Sequence, residues 1–111
     1  MNPKSAPGRA KPCLSLVPMN AMLDVAEVMR HGADKYGRKN WRKQPIDAST
    51  YYDAALRHLI AWFERGEDAD PESGKSHLAH VACCALLLLD GIERGELIDD
   101  RQLYEVLNPR A

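Results

Sequence analysis

The stretch from Arg57 to His80, RHLIAWFERGEDADPESGKSHLAH, holds the residues best suited to chemistry. His77 and His80 are three apart, so on a helix both side chains leave the same face. His58 lies on the preceding helical segment. Glu64, Glu67, Asp68, Asp70 and Glu72 crowd five acids into nine residues between the two. Massing like charges this way is costly without a counter-ion. A divalent metal, or a phosphate chain carrying one, would supply it. Neutral imidazoles suit transition metals and carboxylates also suit magnesium and manganese, so this mixed set points to Mg, Mn or Zn without choosing among them. The plainer alternative is a solvated acidic loop beside histidines hydrogen-bonded within the fold. The link lacks the alternating ligands and central glycine of an EF-hand loop.

A second candidate surface is the loop Lys35-Tyr36-Gly37-Arg38-Lys39-Asn40-Trp41-Arg42. Its cations suit phosphate, Tyr36 and Trp41 can stack on a base, and Asn40 can read a base edge. It could equally be an ordinary loop with Trp41 tucked into the core. It is not a P-loop, since GxxxxGK[ST] is missing. Arg57 beside His58 pairs a cation for phosphate with a metal ligand. Ser73 and Ser76 lie near histidines, but no strand or elbow presents them as nucleophiles.

The elements that position these residues read as helices. Met22, Val25, Ala26, Met29, Ala33 and Tyr36 form one stripe, with Pro18 before it and Gly37 after it, predicting a helix over 18–36. A second helix is expected over 49–65, capped by Asp47 or Ser49, stopped by Gly66, and burying Ala55, Leu59, Trp62 and Phe63. Ser76 should cap a third over 76–94, apolar nearly all round and therefore central, with Val81, Leu86 and Leu88 buried. A short helix near 100–107 ends before Pro109. No strand-like alternation appears. The expected fold is all-α, a bundle of three long helices plus a short C-terminal one.

With 45% hydrophobic and 28% charged residues, the composition is that of a globular chain, read as one domain over 13–111 after a disordered basic tail over 1–12. A net charge of −1 argues against stable binding to nucleic acid or to an anionic membrane. The apolar run Val81 to Leu89 is too short to span a bilayer. Three cysteines, two of them adjacent in that run, read as buried thiols in a reducing compartment, and the expected location is the cytoplasm. The thin core suggests a homo-oligomer with sites near the subunit interface.

The segments GADKYGRKNWR and YYDAALRHLIAWFERGEDADPESGKSHLAH resemble the phage dATP/dGTP diphosphohydrolase-type domain, grouped with the MazG-like all-α nucleotide pyrophosphohydrolases. The resemblance covers about residues 14 to 92 and carries the pattern KYGxxNW, RHxxAW, GExxD and SGxxHxxH. It implies cleavage between the α- and β-phosphates of a nucleoside triphosphate, a purine deoxynucleotide for preference, with the host cytoplasm as the setting if the chain is phage-encoded. It also implies divalent ions on ExxE and ExxD motifs of two central helices. Here the ExxD place reads His77-Leu78-Ala79-His80, and the ExxE place shows Ala55 and His58. Either the metal set is histidine-rich, with Glu64, Glu67 and Asp70 adding oxygens to His58, His77 and His80, or metal binding and catalysis are lost. The first is the expectation. Glu67 and Asp70 are then the catalytic candidates, and Lys35, Tyr36, Asn40, Trp41 and Arg57 would bind substrate. The rival expectation is a non-catalytic nucleotide- or partner-binding helical protein of phage or prophage origin.

Overall fold

The computed structural model describes residues 2–101 and is mostly helical. A five-residue helix, α1 (Ser5–Arg9), buries nothing and lies in the segment expected as a tail. A 3-10 turn at Leu14–Leu16 leads to α2 (Met19–Tyr36). Pro18 enters α2 in an extended conformation, and Gly37 leaves it at φ 95°, a value that favours glycine. After a 3-10 turn at Asn40–Arg42 come β1 (Ile46–Asp47), α3 (Ala48–Phe63), α4 (His77–Glu93) and β2 (Leu97–Ile98). The helix expected near 100–107 lies mostly outside the described residues.

The expectation of a strand-free chain needs correction. β1 and β2 pair in parallel, Ile46 with Leu97 and Asp47 with Ile98. Two residues per strand are too few to show alternation in sequence, and the partners come from opposite ends of the α3–α4 hairpin. The pairing ties the entry of α3 to the exit of α4. Asp47 precedes α3 without a side-chain cap bond, and Ser49 bonds Asp100 through both its backbone N–H and its hydroxyl. Ser76 does cap α4, accepting from the Leu78 N–H at 3.1 Å.

α4 is central: α3 and α2 both pack on it more than on each other, and a cleft remains between them. Val25, Val28, Ala79, Cys83 and Leu87 form the core, with Met29, Trp41 and Tyr51 against it. The expected burial of α3 is rotated by about one residue. Its inner face carries Ala48, Tyr51, Ala54, Ala55, His58 and Ala61, while Leu59 and Trp62 are each 37% exposed and Phe63 is 75% exposed. The cause is that α3 is apolar on two sides. Its small residues let the backbone approach α4, and its large ones form a separate outer stripe. Val81, Leu86 and Leu88, expected to be buried, are half-buried because α4 is covered on two sides only.

Leu87 sits where α4 meets the α2 side of the core, and Leu87→Ala should cost about 2–5 kcal/mol. Urea unfolding followed by circular dichroism checks this. A cost below about 1 kcal/mol would show that this cluster does not hold the helices together.

Candidate functional site

The acidic link between α3 and α4 is a folded turn rather than a solvated loop. Gly66 (φ 63°) and Gly74 (φ 71°) turn the chain at either end of it. The Glu67 N–H reaches back to the Ala61 carbonyl at 3.0 Å, and the His77 N–H bonds the Asp68 carbonyl at 2.9 Å. Asp70 and Lys75 close the turn through a backbone bond of 2.8 Å. The Asp70 carboxylate then accepts from the Ser73 N–H at 2.9 Å. These bonds fix where the Glu67 and Asp70 side chains stand.

They stand beside the histidines. His77 Nε2 contacts Glu67 Oε1 at 2.6 Å, and His77 Nδ1 contacts His58 Nδ1 at 2.8 Å. The His58 ring stacks on His80 with centroids 4.3 Å apart and planes 10° from parallel. His80 Nε2 meets Ser73 Oγ at 2.7 Å and lies 4.0 Å from Asp70 Oδ2. Ligand-capable atoms of His58, Asp70 and His77 fall within 4.8 Å of one another. His58, His77, His80, Glu67 and Asp70 therefore converge as the sequence suggested. Glu64 does not join them: it is exposed at the end of α3 and lines no part of the cavity.

The cluster forms one end of a cavity of about 760 Å³ between α2, α3 and α4. All four histidines of the chain line it, since His31 on α2 joins the other three. Lys35, Arg57 and Arg65 supply cations to its walls. Tyr36, Trp41, Met29 and Tyr51 supply the aromatic and apolar part, and Asn40 adds a polar amide. A volume of this size suits a nucleotide-sized ligand.

Two expected substrate contacts have partners inside the protein. Lys35 pairs with Glu72, and His31 Nε2 lies 3.8 Å from the same carboxylate, so the link is strapped to α2. The Trp41 indole N–H donates to Asp90 Oδ2 at 2.9 Å, and Arg42 donates to both Asp90 oxygens at 3.1 and 2.7 Å. Trp41 is thereby held with its ring against the core, and it presents a wall rather than a free stacking platform.

Sequence reasoning passed over His31, Tyr51, Arg65 and Asp90. His31 is one turn before Lys35, and Tyr51 is two turns before His58. Both spacings were available as same-face signals. Asp90 had no such signal, because its partners lie more than forty residues away.

Burial is the main cause that lowers the His58 imidazole below its ordinary range, and neighbouring His77 adds to it. His80 is lowered by burial and then by His58. Burial alone would raise Asp70, but the Ser73 hydrogen bonds and the nearby rings of His80 and His58 outweigh it and hold the carboxyl low. Burial also keeps the Tyr51 phenol protonated to higher pH than usual. Neutral imidazoles beside an ionised carboxylate are the protonation states a divalent ion requires, so the donor set fits such an ion.

A mostly helical fold with a polar cavity, lined by imidazoles, carboxylates and cations, is the class of protein that fold and site define. The chain belongs to the family described as dATP/dGTP diphosphohydrolase, N-terminal, whose model matches residues 1–101. It is 33% identical over 94 residues to a protein of Salmonella phage PMBT28 named dATP/dGTP diphosphohydrolase. That alignment covers 85% of this chain and 31% of the relative, so the chain spans about a third of the relative's length. No solved structure matches it. No helix among the described residues is long and apolar enough to cross a membrane.

The lowered histidines give the ion-free protein a definite pH dependence. Their folded pKa values lie below the ordinary 6.5, so the unfolded chain takes up protons first as pH falls. The stability they contribute is fully present above 6.5 and is lost as pH drops through that value toward the folded ones. Asp70 adds a separate loss only as pH falls below its ordinary 3.8. Thermal melts of the ion-free protein should therefore show the midpoint falling between about pH 7 and 5. A variant carrying His58→Gln and His80→Gln should show a flatter slope. An unchanged slope would place the titrating groups elsewhere.

Proposed function

We propose that this chain hydrolyses purine deoxynucleoside triphosphates to the monophosphate and pyrophosphate, using a divalent ion held at the histidine–carboxylate end of the cavity. The observation that carries this reading is the mixed lining of the cavity between α2, α3 and α4. His58, His77, His80, Glu67 and Asp70 line it as a cluster, Lys35, Arg57 and Arg65 add cations, and Met29, Tyr36, Trp41 and Tyr51 add aromatic and apolar surface. A triphosphate has the matching mixture, with charge at one end and a flat base at the other. The family membership and the printed name of the phage relative support the same substrate class.

A bound Mg²⁺, Mn²⁺ or Zn²⁺ would supply Lewis-acid neutralisation of the phosphate oxygens and a lowered pKa for an attacking water. The chain's own residues do the rest. Imidazole and carboxylate donors of His58 and Asp70 would hold the ion. Asp70 or Glu67 orients the water for in-line attack on phosphorus. Arg57 offsets charge on the phosphates, and Lys35 does so once it leaves Glu72 for the stronger anion. Asn40 and Tyr51 face the base, against the wall formed by Trp41.

The functional unit in this reading is a homo-oligomer. Tyr52, Leu56, Leu59, Ile60 and Phe63 follow a regular helical stripe on the outer side of α3, and all are exposed. Complete burial of a fully exposed Leu, Ile or Phe is worth about 1.5–3 kcal/mol, and each of these partly exposed side chains forgoes a share of that. A second copy of this chain, packing the same stripe against itself, would recover that burial.

Purified protein should convert dATP or dGTP to monophosphate and pyrophosphate with a divalent ion added, and release no product in excess chelator, as read by chromatography. Asp70→Ala should lower turnover at least about 100-fold with helical content unchanged. Nucleotide binding without product under any divalent ion would make the protein a binding module, and no binding at all would remove the nucleotide reading. Separately, light scattering should give a mass of at least two chains, and Leu59→Glu with Phe63→Glu should give monomers that remain helical. A monomeric wild type would overturn the oligomer.

A further inference from the structure

Among the described residues His77 is the one polar side chain that is buried, at 3% exposure, and both its ring nitrogens are already engaged. That makes it a poor ion ligand, although it is the middle member of the cluster. We propose instead that His77 is a positioning residue in a relay, Glu67–His77–His58, that fixes the proton of His58 on Nδ1 and turns the His58 Nε2 lone pair to the cavity as the imidazole ligand of the divalent ion.

The direction of the relay follows from donor and acceptor counting. An ionised carboxylate only accepts, so the 2.6 Å contact requires the proton of His77 on Nε2. The relay takes His77 as a neutral imidazole whose Nδ1 accepts, which puts the proton of the 2.8 Å contact between the two Nδ1 atoms on His58. His58 Nε2 is left with a lone pair and has no hydrogen-bond partner among the described residues. Among the described residues no buried side-chain nitrogen or oxygen is without a partner, so this atom is reached by solvent. His58 also lines the cavity together with Asp70, which provides the oxygen donor. Stacking on His80 at 4.3 Å holds the His58 ring plane, and the hydrogen bond from Nδ1 sets the rotation within it. A carboxylate behind one imidazole that orients another is the arrangement by which metal-binding histidines are fixed in tautomer and made more basic.

The assignment rests on the ion-site reading given above, and the test separates the two. Long-range proton–nitrogen correlation spectra of the full-length, ion-free protein report which nitrogen of each ring carries the proton, whatever the protein hydrolyses. The expected pattern is Nδ1–H for His58 and Nε2–H for His77. Titration with Zn²⁺ alone should then shift His58 Nε2 and leave both nitrogens of His77 with their original pattern. Glu67→Gln keeps the shape but no longer dictates the proton position. It should give His58 as a mixture of tautomers and weaken zinc binding roughly 10- to 100-fold. His77→Phe should do the same, and Glu67→Gln, which leaves the core untouched, stands in for it if that variant does not fold. Finding His58 as Nε2–H overturns the relay. Direct zinc ligation by His77, or no zinc-induced change at His58 while the tautomers are as expected, overturns the ligand assignment. Failure of hydrolysis with the predicted spectra would remove the nucleotide reaction and leave the relay standing.

Discussion

A buried imidazole cannot be left without partners, and at His77 that requirement ties three segments of the chain together. Its ring joins Glu67 of the link to His58 of α3, while its own backbone N–H, at the start of α4, bonds the Asp68 carbonyl. None of these bonds is local in the helical sense. They determine how the α3–α4 hairpin closes, and the cavity takes its polar end from that closure. Removing either partner would strand a polar nitrogen in the interior, at a cost of about 1–3 kcal/mol. The same residue thus holds the fold and orders the site.

The rest of the architecture is economical around that point. α3 and α4 meet through alanines and cysteines, which permits close approach and leaves room for the cavity on the α2 side. α2 is held by the core valines and by a polar strap to the link, Lys35 and His31 on Glu72, reinforced where Lys75 Nζ lies 3.9 Å from Glu27. The strap crosses the very region where cations would meet phosphate. Its ion pair is exposed and so contributes little to stability. Exchanging Glu72 for a more highly charged anion is therefore inexpensive. A bulkier core would have stabilised the monomer further and filled the space that the site needs.

Much of this was legible in the residues. The three-residue spacing of His77 and His80, the Ser76 cap and the glycines flanking the link gave the hairpin and its cluster, because all of these are short-range features. The phase of α3 was not legible. Large apolar residues normally mark the inner face, and here the alanines do, because α4 must come close and the outer stripe is left for another surface. The role of Trp41 depended on Asp90, and the β1–β2 pairing on residues some fifty positions apart. No periodicity could reveal contacts of that range. His31 and Tyr51 are different: their helical spacing was visible, but nothing chemical beside them drew attention.

The resemblance to the MazG-like group implies acidic residues on two central helices, and this chain has a different arrangement at the corresponding places. Carboxylates on helices present oxygens directly from a rigid scaffold. In this chain the first turn of α4 carries imidazoles, and the carboxylates beside them stand in the link, where Gly66, Gly74 and the Ser73 hydrogen bond set their positions. A loop carboxylate is less rigid than a helical one, so the link has to be stiffened, and its backbone bonds to Ala61, Lys75 and His77 do that. The walls of the cavity are drawn from between Val28 and Leu87, inside the matched segment 1–101. The imidazoles, carboxylates, cations and aromatic wall are thus all drawn from the matched segment.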